Sequence, residues 1–362
     1  LNELIELNQI EVSYSPYNHP ILPLLVDSNS ANDSLNNLDI EGLEFKWAQD
    51  SFNQIKKSIE KYKNDFRKKQ VGMWPSEGSL SNDVLNQLIE NEIDWTATDE
   101  IILKNSDPNY KSLEKYFPRK YQSDKGNITI FFRDNTISDK IGFAYPNWEP
   151  QKAVDDFFLL LHNIRNGLIE EYGEFALDYA CVNIILDGEN CWEYYPNLGV
   201  EFRNKLMQRL NDDSYFESVL FKDVCKNNET LLTLNNIKAG SWINGNFKIW
   251  IGEKIHKKSW EILSDVRLMI EGKKDHKKYS IAMEYIYRAE SSDWFWWYFS
   301  EHWAPNKADF DVLFRYNLEK ALNILGLPIP SYLIKPIWSK EELEKMKQHL
   351  SQSSNTMHQV SF

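Results

Sequence analysis

Residues 71–100 read VGMWPSEGSLSNDVLNQLIENEIDWTATDE. The apolar run VGMW reads as a strand, a helix is expected from about Asn82 with Ser81 or Ser79 as its cap, and WTAT reads as a second strand. Strand, helix, strand is the repeat from which α/β folds with a parallel sheet are built. The alternation extends from Gln9 to about Phe221. Further candidate strands are QIEVSYS (9–15), NITIFF (127–132), ACVNIIL (180–186) and YFESVLF (215–221). The stretches FKWAQDSFNQIKKSIEKYKNDFRKK (45–69) and PQKAVDDFFLLLHNIRNGLIEEY (150–172) carry apolar residues at spacings of three and four, the period of a helix with one buried face.

Polar and charged residues begin where each strand ends: SPYNHP, PSEGS, DE, RDN and DGEN in turn. Catalytic groups collect at the C-terminal ends of parallel strands, so five consecutive strands of this kind point to one shared site. After about Lys238 the alternation stops. GSWINGNFKIWIG (240–252) is followed by helical stretches near residues 256–270, 277–289, 307–325 and 340–351, with the proline-punctuated connection PIPSYLIKPIW before the last. The tail SQSSNTMHQVSF is expected to fray.

The composition narrows the function classes. A formal charge of −13 and a pI near 5.1 repel a phosphate backbone, so nucleic acid is not an expected partner. The apolar runs FFLLL and WFWWYF fall far short of the roughly 20 residues of a membrane span. Three cysteines without zinc-like spacing argue against a disulfide framework and against a metal cage, and point to a reducing, cytoplasmic compartment. The 13 Trp, 18 Tyr and 19 Phe include rings suited to stacking on the C–H faces of sugars, although most aromatic rings serve the core.

Two acids stand out. Glu77, in WPSEG, reads either as part of a helix entry or as a carboxylate whose rotamer and local dielectric are set by Trp74 and Pro75. Asp187, in LDGEN, reads either as a turn residue beside Gly188 or as a proton donor near a second carboxylate, Trp192 and two tyrosines. Two carboxylates at two strand ends, among aromatic rings, are the minimal equipment of a glycosidase. A separation of about 5–5.5 Å implies retention of configuration, and about 6.5–9.5 Å inversion. Secondary candidates are Glu11, His19, Asp99, Arg133, Asp134 and Asp139; the arginine suits a bidentate grip on a carboxylate, and a structural ion pair is the competing reading.

Six segments resemble glycoside hydrolase family 57, its amylopullulanase and α-amylase branch, in the family's order: QIEVSYSPYNHPILPLL, GMWPSEGSLS, FFRDNTISDKIGF, LDGENCWEYYP, GSWINGNFKIWIG and SSDWFWWYFSEHW. The resemblance implies an α/β fold, a (β/α)7-type barrel over residues 1–237, followed by a mostly helical C-terminal region over 238–362 that packs on the barrel and closes the site. It implies a retaining hydrolase of α-glucans such as starch, glycogen, pullulan or maltooligosaccharides, cutting α-1,4 and potentially α-1,6 bonds, with no metal and no cofactor. Glu77 falls on the family's nucleophile and Asp187 on its general acid/base. Glu11, His19, Trp74, Arg133, Asp134, Trp192, Trp242, Asp293 and Trp294 are the candidate substrate-binding residues. The family's His-Gln-Pro tripeptide does not occur, so the first barrel strand is expected to be absent. A 4-α-glucanotransferase and a non-catalytic α-glucan-binding fragment are the alternatives.

Overall fold

The computed structural model describes residues 1–35, 42–188, 190–226, 232–339 and 341–345. The chain forms two compact units. The first takes in Leu1–Ser13, Val71–Met73 and Glu92–Ile237; the second takes in Tyr14–Gln70, Trp74–Asn91 and the chain from Lys238 onward.

The first unit is built on a five-stranded sheet of order β1-β2-β4-β3-β5. Its strands are β1 (Gly72–Met73), β2 (Trp95–Asp99), β3 (Arg119–Ser123), β4 (Gly126–Arg133) and β5 (Leu232–Leu234). The expected parallel pairing holds for β1, β2 and β4, with Trp95 opposite Thr129 and Asp99 opposite Arg133. All five residues of β2 are buried, as befits a strand covered on both faces. The sheet is nevertheless mixed, because β3 pairs antiparallel with β4 through a tight hairpin at Asp124 and Lys125. The polar sequence RKYQS hides that strand from a hydrophobicity reading.

Three expected strands do not form as ladders. Gln9–Ser15 makes no strand pairing among the described residues; Glu11 instead accepts from Trp95 Nε1 (2.7 Å) and from the backbone N–H of Lys222 (3.0 Å). The stretch 180–186 pairs with the sheet through one parallel bridge among the described residues, Arg133 to Asn183, rather than a ladder. Tyr215–Phe221 makes no strand pairing among the described residues: Tyr215 and Val219 are exposed, and Phe221 packs against Trp95 (4.6 Å) and Phe131 (4.4 Å). The helix Pro150–Tyr172 has the bounds its periodicity implies, and it buries Ala153, Val154, Phe157, Phe158 and Leu161 in a cluster with Phe202 and Leu206 of the helix Val200–Asp212.

The second unit is helical. Ala48–Phe66, Asn82–Glu90, Lys254–Glu271, Tyr279–Ala289, Ser292–Tyr298 and Lys307–Ile324 are its main helices. Ser81 is the cap of Asn82–Glu90, accepting from Val84 N at 3.3 Å. The core runs from Leu24, Leu25 and Phe45 through Trp250 and Trp260 to Phe314 and Leu318. Trp260 lies edge-on to Phe45 at 5.0 Å and stacks on Phe295 at 4.3 Å. Each such fully buried side chain contributes about 1.5–3 kcal/mol. Arg267, buried, grips both oxygens of buried Asp50 (2.6 and 3.1 Å), tying Lys254–Glu271 to Ala48–Phe66. Of the helix expected at 340–351, residues 341–345 are helical; its remainder and the tail from Ser351 lie outside the described residues.

Buried His256 is locked in one tautomer. Its Nδ1 accepts from Glu253 N (3.1 Å), which leaves Nε2–H to donate to Phe295 O (2.9 Å). A second proton would set an N–H against an N–H, and burial pushes the ring's pKa down to about 3.

A Cβ at Gly72 would sit 1.8 Å from Trp95 Cε2, so Gly72→Ala is expected to lower stability in urea titration by at least about 2 kcal/mol. Because His256 stays neutral in the fold while the unfolded ring protonates near 6.5, its stabilisation is complete above pH 6.5 and is lost as pH falls toward 3. Urea midpoints of His256→Gln should therefore fall less steeply than those of the wild type between pH 6.5 and about 4.

Candidate functional site

Glu77 lies in a single 3₁₀ turn, Ser76–Gly78, four residues past β1 in sequence. Its backbone is left-handed, φ 57° and ψ 26°, a conformation that costs a residue with a Cβ about 1–2 kcal/mol. Gly78 follows at φ 60°, and a Cβ there would come within 2.8 Å of Trp74 Cη2, so the glycine is required. The buried hydroxyls of Ser76 and Ser79 have no hydrogen-bond partner among the described residues, which costs about 1–3 kcal/mol each. The segment is thus locally unfavourable and is held from outside. Leu80 and Gly240 exchange backbone bonds (3.0 and 3.1 Å), Trp242 N donates to Glu77 O (3.0 Å), and Trp242 Nε1 donates to Glu77 Oε2 (2.7 Å). Trp74 meets Trp242 edge to face at 5.6 Å. Strain over-determined by its surroundings concentrates at functional sites. The helix that starts just beyond, capped by Ser81, gives the carboxylate a rigid mount.

A second cluster in the same unit gathers His19. Its backbone is also left-handed, φ 54°, after Asn18 at φ 57°. Ser292 fixes it twice, through Oγ to His19 Nδ1 (2.8 Å) and through N to His19 O (2.9 Å). Neighbouring Asp293 is exposed at the start of Ser292–Tyr298, where Ser291 Oγ donates to its Oδ2 at 3.1 Å. Trp294 is half-buried and donates from Nε1 to Arg288 O (2.6 Å). Much of the aromatic run packs on protein: Phe295 on Trp260, Trp296 on His302 and Trp297 on Phe310.

The first unit holds the remaining candidates. Arg133, at the end of β4, is buried and donates from Nη1 to Asp99 Oδ2 (3.1 Å), from Nη2 to Asp139 Oδ1, and from Nε to Ile185 O (2.9 Å). Burial pushes the Asp99 carboxyl up to about 6, opposed by the Ile101 N–H and by Arg133. Asp134, also buried, caps the helix Asn135–Asp139 through Ile137 N (2.8 Å) and accepts from Tyr116 OH (2.6 Å), with Lys115 Nζ at 3.1 Å. The structure therefore brings Arg133 and Asp134 into protein-internal networks. Asp187 is half-buried two residues beyond Ile185, whose N–H donates to Ser138 Oγ (3.2 Å) and whose carbonyl is held by Arg133. Glu189 and the side chains of Asn190 and Cys191 lie outside the described residues. Trp192 is half-buried against Tyr195 (5.5 Å), with Arg203 over its ring at 5.2 Å.

Sequence reasoning did not foresee the partners of these candidate residues. Trp95 beside Glu11, Tyr116 and Lys115 beside Asp134, and Ser292 beside His19 carry no local signal, since the last pair is 273 positions apart. The left-handed backbone at Glu77 gives a direct test. Both Glu77→Ala and Glu77→Gly remove the carboxylate, and only the second relieves the strain. Glu77→Gly should therefore be more stable than Glu77→Ala by about 1 kcal/mol in chemical denaturation, the reverse of their order in a helix interior.

A family model described as Glycosyl hydrolase family 57 matches residues 1–235. Among solved structures, a branching enzyme of this family from Pyrococcus horikoshii superposes with a TM-score of 0.67 over 98% of this chain and 71% of its own, at 14% identity. The α-amylase AmyC from Thermotoga maritima follows at 0.65, covering 100% of this chain and 75% of its own, also at 14% identity. A 4-α-glucanotransferase from Thermococcus litoralis gives 0.61 over 89% of this chain and 49% of its own, again at 14% identity. No match was found among curated proteins. Likeness at this identity concerns the fold, which in these enzymes is a (β/α)7 barrel. With the family model spanning most of the chain and the α/β architecture with its helical C-terminal region agreeing, the chain belongs to glycosyl hydrolase family 57.

Proposed function

We propose that this protein is a retaining glycosidase of α-glucans, acting on starch, glycogen, pullulan or maltooligosaccharides at α-1,4 and α-1,6 bonds. Glu77 is the nucleophile and Asp187 the general acid/base. The observation that carries this reading is the strained, externally clamped carboxylate of Glu77 in a chain of this family. In the first step a Glu77 oxygen bonds to the anomeric carbon as the glycosidic C–O bond breaks, and Asp187 gives its proton to the departing oxygen. In the second, Asp187 takes a proton from water, the water oxygen bonds to the same carbon, and Glu77 leaves. Two inversions give retention.

In this proposal residues 1–237 form the catalytic barrel and 238–362 the helical region, and the compartment is a reducing, cytoplasmic one, a reading supported by three cysteines without zinc-like spacing. A second reading is transfer to a sugar hydroxyl in place of water. It is favoured by the two neighbours described as a branching enzyme and a 4-α-glucanotransferase. A non-catalytic glucan-binding role would show as affinity without turnover.

Soluble starch, pullulan and maltooligosaccharides, incubated with wild type, Glu77→Gln and Asp187→Asn, separate these readings. Glu77→Gln should lose at least about a thousandfold in kcat on every substrate. Asp187→Asn should fail on natural glucans yet still release fluoride from a glycosyl fluoride, whose leaving group needs no proton. Longer maltooligosaccharide products would mark transfer, and wild-type activity in Glu77→Gln would refute the mechanism.

A further inference from the structure

We infer that Trp242 is a positioning residue for the Glu77 carboxylate, and that its indole N–H, not its ring face, is the part the reaction uses. The inference rests on the reading of Glu77 as nucleophile. Trp242 binds Glu77 twice, with its backbone N–H on the Glu77 carbonyl (3.0 Å) and its Nε1–H on Oε2 (2.7 Å). The two bonds act on different parts of one residue. The first holds the left-handed backbone; the second sets the plane of the carboxylate, whose terminal torsion is otherwise broad and roughly two-fold.

The indole is itself held. Half-buried Trp242 packs against Trp74 at 5.6 Å, with the planes inclined at 71°. Its loop is closed by buried Ser241, which accepts from Ile243 N (3.1 Å) and donates to Asn246 O (2.7 Å), and is anchored by the Leu80–Gly240 exchange. A carboxylate attacking an anomeric carbon must present one oxygen along a narrow approach, and misplacement by about 1 Å costs on the order of a hundredfold in rate. An N–H on a rigid ring, tied to one oxygen, restricts the carboxylate to rotations about that bond. A tryptophan engaged in this way contributes to the chemical step, whereas a tryptophan used as a stacking platform contributes to substrate affinity.

The test replaces Trp242 in the full chain by benzothienylalanine, which keeps the ring shape and lacks the N–H, and separately makes Trp242→Phe. Glu77→Gly is assayed in parallel with and without azide, which substitutes for a missing carboxylate nucleophile. The expected result is azide rescue of Glu77→Gly, together with a fall in kcat of about 10- to 100-fold in both Trp242 variants. KM for maltooligosaccharides should change less than about twofold, because uniform binding is untouched, and the benzothienylalanine protein should keep its thermal midpoint. If kcat is retained while KM rises, or if both are retained, the ring is a platform or a bystander and the inference is overturned. If Glu77→Gly is not rescued, the nucleophile assignment fails and takes the inference with it, an outcome distinguishable from the first by the azide control.

Discussion

A guanidinium taken out of water must be neutralised and must have its N–H groups satisfied, or the fold cannot tolerate it. Arg133 imposes that requirement on the first unit. The parallel register of β2 and β4 sets Asp99 directly opposite it, the helix that follows β4 supplies Asp139, and the carbonyl of Ile185 accepts from its Nε. The last contact draws the apolar stretch 180–186 alongside β4 by side-chain bonds and one bridge rather than a full ladder. Asp187 thereby hangs from a segment anchored two residues earlier. One buried charge links the strand ends, the helix Asn135–Asp139 and the approach to the second acid.

The second unit follows a different logic, in which favourable packing supports an unfavourable turn. Glu77 in a left-handed conformation and the hydroxyls of Ser76 and Ser79, which have no partner among the described residues, together cost several kcal/mol by ordinary magnitudes. A large aromatic and aliphatic core, centred on Trp250, Trp260 and Phe295, lies in the same unit. The loop Gly240–Trp242, immediately upstream of that core, is the part that grips the turn. Proteins carry such strain where function requires a group to be held in one place.

The parts of the chain differ in how far their sequence discloses them. The periodic helix Pro150–Tyr172 is legible to the residue and the others to within a few residues, because one apolar stripe at a 3.6 period has a single reading. Strands are harder. VGMW, WTAT and NITIFF pair as expected, whereas QIEVSYS and YFESVLF look equally strand-like and do not. Whether a β-prone run joins a sheet depends on a partner edge and on competing ring contacts, and neither is written locally. The hairpin strand Arg119–Ser123 is hidden for the converse reason, since its ladder is long and its side chains are polar.

By itself, the sequence determined the α/β class, the helical C-terminal region, a helix start near Asn82 capped by Ser81 or Ser79, and the family through six ordered segments. Those features are carried by periodicity, turn chemistry and motif order, all of them local or additive along the chain. Only the tertiary structure decided that Arg133 and Asp134 serve internal networks, that Ser292 holds His19, and that Glu77 is strained with Trp242 on its carboxylate. Each of these depends on at least one contact between residues from different elements, 165 positions apart in the case of Glu77 and Trp242. Such contacts are set by the simultaneous demand that buried polar groups find partners and that side chains fill space, a condition that no single segment can satisfy or reveal.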